Sequence, residues 1–133
     1  MNANTTRGIS GIFWVYNMGV DVEFEDKIQD AVNEILKKPR KKSEFTKLFR
    51  QKTGYKIVFD ENPIVLKEKQ YNNGTRITGF FLHKLVKKRK TYYMETEAEI
   101  SIPTVQREGE PIIHWMNIHA INSRHEYILL SDS

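Results

Sequence analysis

Two stretches of the sequence concentrate positive charge, and one of them lies beside aromatic residues. The first runs from Lys37 to Lys56. The second covers Lys84–Lys90 and is followed closely by Tyr92 and Tyr93. Cations can neutralise the phosphates of a nucleic acid, and a tyrosine ring can stack on a base. We therefore predict an anion-binding surface formed by Lys37, Lys38, Arg40, Lys41, Lys42, Arg50, Lys84, Lys87, Lys88, Arg89, Lys90 and Tyr93.

This prediction requires that the two basic stretches meet in the folded chain. The net charge of +4 at neutral pH suits a partner that is either a nucleic acid or an acidic protein surface. Binding to such a partner would weaken as the salt concentration rises, because bound cations displace counterions from the polyanion.

Carboxylates offer a second kind of chemistry. Glu95, Glu97 and Glu99 alternate along one predicted strand, so their side chains share a face. Such a row could transfer protons or bind a hard cation. Lysines on the neighbouring strand would neutralise it equally well, and the regular alternation favours this second interpretation.

The four histidines do not form a metal-binding pattern. His114 and His119 are an odd number of residues apart on one predicted strand, so they are expected to point to opposite faces. The sequence has no cysteine. Zinc sites usually combine cysteine or histidine ligands at short, regular spacings. We therefore predict neither a metal site nor a cofactor.

Length and composition limit the classes of protein that remain. A chain of 133 residues fits one domain, and its 15 aromatic residues supply bulk for a core. No apolar run approaches the roughly 20 residues that span a bilayer, and Met1–Gly8 lacks the apolar segment of a secretory signal. We expect no membrane contact and a location in the cytoplasm or inside a large assembly such as a virion.

Two amphipathic helices are predicted in the first half of the chain. Apolar residues spaced three and four apart indicate a helix from Phe24 to Lys38, which Pro39 would end. A shorter helix, Glu44–Thr53, has Ser43 as its expected N-cap and Gly54 just after its end. The residues before these helices, Ile9–Met18, are β-branched and aromatic and predict a strand.

The second half of the chain alternates with a period of two and predicts a series of strands. In the cleanest of them, Tyr92–Ile102, the even positions are mostly apolar and are expected to pack inward. Asn73-Gly74 predicts a two-residue type I′ hairpin turn. The predicted strands after the helices are Tyr55–Asp60, Ile64–Tyr71, Arg76–Val86, Tyr92–Ile102, Ile112–Ile121 and Glu126–Leu130.

Together these elements predict an α+β domain. Its order is β-α-α followed by an antiparallel β-meander of about five to six strands, with both helices packed on one face of the sheet. We expect a single domain over residues 9–131 and a flexible N-terminal arm over residues 1–8. Phe80 and Phe81 must face opposite sides of a strand, which hints at a subunit contact on the face without helices.

The order of elements resembles that of the small RelE-type toxin ribonucleases. Those enzymes cleave RNA without a metal, using basic, histidine and tyrosine side chains on a sheet. The resemblance concerns element order alone and implies an acid, a base and a phosphate clamp among nearby polar residues. The residues that could fill those roles here are Arg124, His125 and Tyr127, with Glu95 or Glu97.

The sequence contains no nucleotide-binding loop, nucleophile elbow or metal motif. We therefore expect a small non-catalytic binding or assembly protein, of the kind encoded by phages and mobile elements, with a basic face for nucleic acid or an acidic partner. The first alternative is a structural subunit of an oligomeric complex such as a virion. The second is a metal-independent ribonuclease.

Overall fold

A computed structural model describes residues 22–104 and 109–123. The predicted strands Ile9–Met18 and Glu126–Leu130 lie outside these ranges, as do the N-terminal arm and the candidate residues Arg124, His125 and Tyr127. The described elements, in chain order, are α1 (Val22–Ile35), β1 (Arg40–Lys41), α2 (Lys42–Thr53), β2 (Lys56–Val58), β3 (Ile64–Tyr71), β4 (Gly74–Lys87), β5 (Lys90–Pro103) and β6 (Ile112–Asn122).

The six described strands form one antiparallel sheet. Its strand order is β1-β6-β5-β4-β2. On the same edge of β4, β2 pairs with residues 84–86 and β3 pairs with residues 74–80. Strands that are consecutive from β3 to β6 are neighbours, which is the arrangement of a meander. The predicted α+β class, with helices ahead of an antiparallel meander, is confirmed. Neither described helix is long and apolar enough to cross a membrane.

The core lies between the helices and one face of the sheet. Ile28 and Val32 of α1 and Phe45 and Phe49 of α2 are fully buried there. The predicted inward parity of β5 is correct, since its even positions Met94, Thr96, Ala98 and Ile100 are buried. We call the other side of the sheet, which carries the odd positions of β5, the open face.

The first helix ends earlier than its pattern predicts. Helix α1 stops at Ile35, three residues before Lys38, and Arg40 Nε donates a hydrogen bond to the Ile35 carbonyl at 2.9 Å. Two side chains of α1 also accept hydrogen bonds from backbone N–H groups of β6. Gln29 accepts from Ile118 N at 2.8 Å, and Glu25 accepts from Ile121 N at 3.3 Å. These bonds fix the helix against the strand that carries two of the histidines.

The second helix begins in a different way from the prediction. It starts at Lys42, and its N-cap is Lys41, which makes no side-chain capping bond, so the expected cap at Ser43 is wrong. Ser43 donates instead from its N–H and its hydroxyl to the Glu110 carboxylate, at 2.8 and 2.7 Å. The predicted end is correct. Gly54 adopts the left-handed conformation with φ +81°, and its N–H donates to Arg50.

The β3–β4 turn lies one residue earlier than predicted. Tyr71 pairs with Gly74, so the turn consists of Asn72 and Asn73, and neither has the positive φ that a type I′ turn needs. Glycine is required at position 74 for another reason. A Cβ there would lie 2.4 Å from the Ile102 carbonyl oxygen of β5. The glycine permits close strand packing rather than a left-handed turn.

His83 is a fully buried imidazole in the aromatic part of the core. Its Nδ1 accepts a hydrogen bond from Asp60 N at 3.1 Å, while its buried Nε2 has no hydrogen-bond partner among the described residues. The rings of Phe59 and Phe81 lie against it. Burial, reinforced by the charge of Lys42, lowers the pKa of His83 to about 3.

This histidine makes the fold sensitive to acid. Above pH 6.5 the folded and unfolded chains both keep His83 neutral, so it adds no pH dependence. Below pH 6.5 the unfolded chain binds a proton that the folded chain rejects, and stability falls as the pH drops toward about 3. We expect the free energy of unfolding to fall by about 2 kcal/mol from this source between pH 7.5 and pH 5.0.

The variant His83→Leu isolates this effect. It starts less stable at pH 7.5, because Asp60 N loses its acceptor, but the contribution of His83 to the acid loss is gone. Urea unfolding at the two pH values measures the difference between the proteins. An equal loss of stability in the wild type and in His83→Leu would contradict the assignment.

Candidate functional site

The second basic stretch forms the tip of the long β4–β5 hairpin. Lys87 pairs with Lys90, and the turn between them is Lys88-Arg89, in which Lys88 has φ +54°. We name Lys84, Lys87, Lys88, Arg89 and Lys90 the hairpin cluster. All five are exposed, and no carboxylate in the described part of the chain forms an ion pair with any of them.

Aromatic residues support the base of this hairpin on both faces. On the helix side, Lys87 Nζ lies 5.4 Å from the centroid of the Tyr55 ring. Burial and the neighbouring Tyr92 raise the pKa of Tyr55, so its hydroxyl stays neutral. On the open face, Tyr93 lies directly opposite Lys84 in the strand pairing. The hairpin therefore carries exposed cations beside the half-buried Tyr93.

The C-terminal end of α2 reaches the same region. A Cβ added at Gly54 would lie 3.4 Å from Lys87 Nζ, and the Gly54 N–H bonds to Arg50. Arg50 is exposed, as is Lys52 in the same last turn. The predicted residue Arg50 thus belongs to the end of the molecule that carries the hairpin cluster.

Lys37–Lys42, the first part of the first basic stretch, lie at the other end of the sheet. Lys41 pairs with Ile112, which in turn pairs with Ser101 near the end of β5, whereas Lys90 is the first residue of β5. At about 3.3 Å per residue, roughly 36 Å of strand separates Ser101 from Lys90. The prediction that the two basic stretches form one surface is wrong for Lys37–Lys42, which lie at the opposite end of β5 from the hairpin cluster. Arg50 of the first stretch lies at the same end as the hairpin cluster.

Contacts within the protein also occupy much of the first stretch. Lys37 pairs with Glu34 at 3.2 Å, and Arg40 pairs with Glu44 at 3.2 Å. The Lys42 ammonium lies 5.3 Å from the centroid of the Phe59 ring. Lys38 and Lys41 are exposed. Three of these five cations, Lys37, Arg40 and Lys42, therefore make contacts within the protein.

The glutamate row is present on the open face, but its partners differ from those expected. Glu97 faces His119 Nε2 at 3.5 Å. Glu99 accepts a hydrogen bond from Trp115 Nε1 at 2.7 Å and pairs with Arg76 Nε at 3.3 Å. Histidine, tryptophan and arginine side chains, rather than a row of lysines, hold these two carboxylates.

Two β-bulges bring both strand histidines to this face. The β5–β6 register shifts between Glu95 and Thr96 and again between Glu99 and Ile100. As a result His119 reaches Glu97, and His114 Nε2 shares a hydrogen bond with the Ser101 hydroxyl. The prediction that the two histidines point to opposite faces is wrong, because the bulge at His114 adds one residue to β6 and shifts the alternation once between the two histidines.

The surroundings of His114 favour its neutral form. Burial lowers the pKa of His114, the charge of Arg76 lowers it further, and Glu99 acts in the opposite direction. In the described part of the chain, no group of three or more histidine, aspartate or glutamate side chains could hold a metal ion. The open face therefore offers a neutral imidazole beside a guanidinium and a carboxylate.

Sequence reasoning missed Arg76 because its role depends on the strand register. Arg76 faces Ser101 across β5, and its guanidinium carbon lies 5.3 Å from the centroid of the Tyr71 ring on the β3 side. No signal in the sequence marks it, since it is a single arginine at the start of a predicted strand.

Comparisons of this chain with protein-family models, with curated proteins and with solved structures gave no match.

The interaction between His114 and Arg76 can be measured by titration. We expect the His114 ring to titrate below pH 6.5 in an NMR pH series. In Arg76→Gln the midpoint should rise but stay below the ordinary value, because burial persists. In Glu99→Gln it should fall further, since a favourable negative charge is lost. A midpoint unchanged by both substitutions would show that these charges do not act on His114.

Proposed function

We propose that this protein is a small non-catalytic binding protein whose hairpin cluster contacts nucleic acid. One observation carries the proposal: five exposed cations at one hairpin tip have no carboxylate partner within the described residues. Such cations repel one another in the free protein and gain most when phosphates approach. Nucleic acid supplies phosphates at regular, short intervals.

The aromatic residue beside the tip favours nucleic acid over an acidic protein surface. Tyr93 lies on the open face opposite Lys84, so a phosphate bound by the lysine brings a base near the ring. An acidic peptide would use the cations alone. The first basic stretch contributes less to this proposal, since Lys37, Arg40 and Lys42 are held by contacts inside the protein.

A triple substitution at the tip tests the proposal. Lys88, Arg89 and Lys90 are changed to Gln, while Lys87 is kept because it packs on Tyr55. We expect weaker binding to single-stranded oligonucleotides and a salt dependence of log K that is shallower by about 2, because each lost phosphate contact removes about 0.7 from the slope. Fluorescence anisotropy from about 50 to 200 mM salt measures both effects.

The matched control changes Lys37, Lys38 and Lys41 to Gln, which removes the same charge from the other end of the sheet. This variant should retain most of the affinity and of the salt slope. Equal losses in the two variants would mean that net charge alone governs binding. Undiminished binding by the tip variant would remove the hairpin cluster from the function.

A second candidate function is metal-independent cleavage of RNA on the open face. The observation that favours it is the neutral His114 beside Arg76 and Glu99. A neutral imidazole can accept the proton of a ribose 2′-hydroxyl, whose oxygen then bonds to the adjacent phosphorus. The bond from phosphorus to the 5′-oxygen breaks, and that leaving oxygen takes a proton from water or from the imidazolium, while a guanidinium can stabilise the charge that develops on the phosphate. In this candidate, His114 is the base and Arg76 stabilises the phosphate. The sequence analysis assigned such roles to Arg124, His125 and Tyr127, which lie outside the described ranges.

Incubation of labelled RNA with the purified protein in a metal chelator tests this candidate. If the open face cleaves RNA, 2′,3′-cyclic phosphate ends accumulate with the wild type, and His114→Gln lowers the rate at least tenfold. His125→Ala tests the residue that the sequence analysis placed in the same reaction. RNA that remains intact for hours with wild-type protein would rule out cleavage and leave binding as the function.

A further inference from the structure

A second group of cations lies on the open face, near the β3–β4 turn. In the strand pairing Lys67 and Lys69 of β3 face Thr78 and Arg76 of β4, so these side chains share one face. Tyr71 follows two residues after Lys69 on the same side. We name Lys67, Lys69, Tyr71 and Arg76 the β3 corner.

The β3 corner presents a partly exposed ring between two cations. Tyr71 is 44% exposed. The Lys69 ammonium and the Arg76 guanidinium lie 5.6 and 5.3 Å from the centroid of its ring. The corner contains one ion pair, between Arg76 and Glu99, so that within the described residues its cations outnumber the carboxylates that pair with them.

A neutral strip connects the β3 corner to the hairpin cluster. The residues of β4 that face the open side between Arg76 and Lys84 are Thr78, Phe80 and Leu82, all of them half-buried. Eight residues of strand separate the two cations, which is roughly 26 Å. The strip therefore has positive charge at both ends and an apolar centre.

Four carboxylates border this strip: Asp60 lies beside Leu82, and Glu95, Glu97 and Glu99 of β5 lie opposite Leu82, Phe80 and Thr78. Asp60 accepts hydrogen bonds from Leu82 N and Asn62 N, each at 2.9 Å. On the neighbouring strand β5, Glu97 is paired with His119 and Glu99 with Arg76 and Trp115. Arg76 offsets part of the charge of Glu99, so these carboxylates oppose a polyanion least at the β3 corner.

We propose that a single-stranded nucleic acid lies along β4 on the open face, with phosphates at the hairpin cluster and at the β3 corner and with bases over the strip between them. The proposal rests on the proposed function, because the hairpin cluster supplies one of its two ends. Bases that are not paired can stack on tyrosine rings and cover apolar side chains, whereas a duplex hides those surfaces. The strip therefore selects for an unpaired strand.

The length of the ligand provides the first test. A thymidine trinucleotide is too short to reach from the hairpin cluster to the β3 corner, whereas an oligothymidylate of about 15 nucleotides can occupy both. Lys67→Gln/Lys69→Gln removes two cations that have no ion-pair partner in the described part of the chain. Lys37→Gln/Lys38→Gln removes the same charge outside the open face and serves as the matched control.

We expect the corner variant to bind the longer strand about tenfold more weakly than the control does, and with a salt slope shallower by about 1.4, or 0.7 for each lost phosphate contact. Binding of the trinucleotide, followed by NMR chemical shifts, should be the same in the two variants. The inference is overturned if the corner variant and the control behave alike with the longer strand, or if the corner variant weakens the trinucleotide as much.

The chemistry of the ligand provides the second test. Tyr71→Leu should weaken the longer oligothymidylate and leave the binding of polyglutamate unchanged, because only a base stacks on the ring. Equal effects of Tyr71→Leu on both ligands would overturn the assignment to nucleic acid. Failure of the tip variant to change binding of the longer strand overturns the proposed function itself. A tip effect without a corner effect overturns only the inference drawn here.

Discussion

The pairing of β4 with β5 is the constraint on which the rest of the structure depends. It runs from Gly74 opposite Pro103 to Lys87 opposite Lys90 without a register shift. This continuous ladder fixes which residues of both strands face the helices and which face the open side. It also sets the distance between the hairpin cluster and every other feature of the sheet. A slip of one residue would exchange Phe81 and His83 in the core for Phe80 and Leu82.

Local patterns predicted the parts of the fold that are determined locally. The alternation of Met94, Ala98 and Ile100 with polar residues gave the correct inward face of β5, because one buried face imposes a period of two. Gly54 gave the end of α2, because that position needs a left-handed conformation. The predicted strands Arg76–Val86 and Tyr92–Ile102 leave four cations between them, and the structure has its turn there, since such a run cannot be buried.

The errors concern features that depend on partners distant in sequence. The separation of the two basic stretches follows from the pairing of Lys41 with Ile112, which no local pattern contains. The placement of His114 and His119 on one face follows from two bulges in β6, and a bulge leaves no consistent mark in a single sequence. Gly74 misled for a related reason. Position 74 needs a glycine because β5 approaches it closely, and not because the chain forms a type I′ turn there.

The two basic stretches show how the same composition acquires different roles. In the first, Lys37 and Arg40 lie near the ends of helices and find Glu34 and Glu44 within 3.2 Å, so that their charge contributes to helix stability and is largely offset. In the second, the hairpin exposes its cations to solvent, and no carboxylate of the described residues forms an ion pair with them. Repulsion among these cations costs some stability in the free protein, and an approaching polyanion relieves it. The second stretch is therefore the one that keeps its cations without carboxylate partners among the described residues, and charge density in the sequence alone does not reveal which stretch that is.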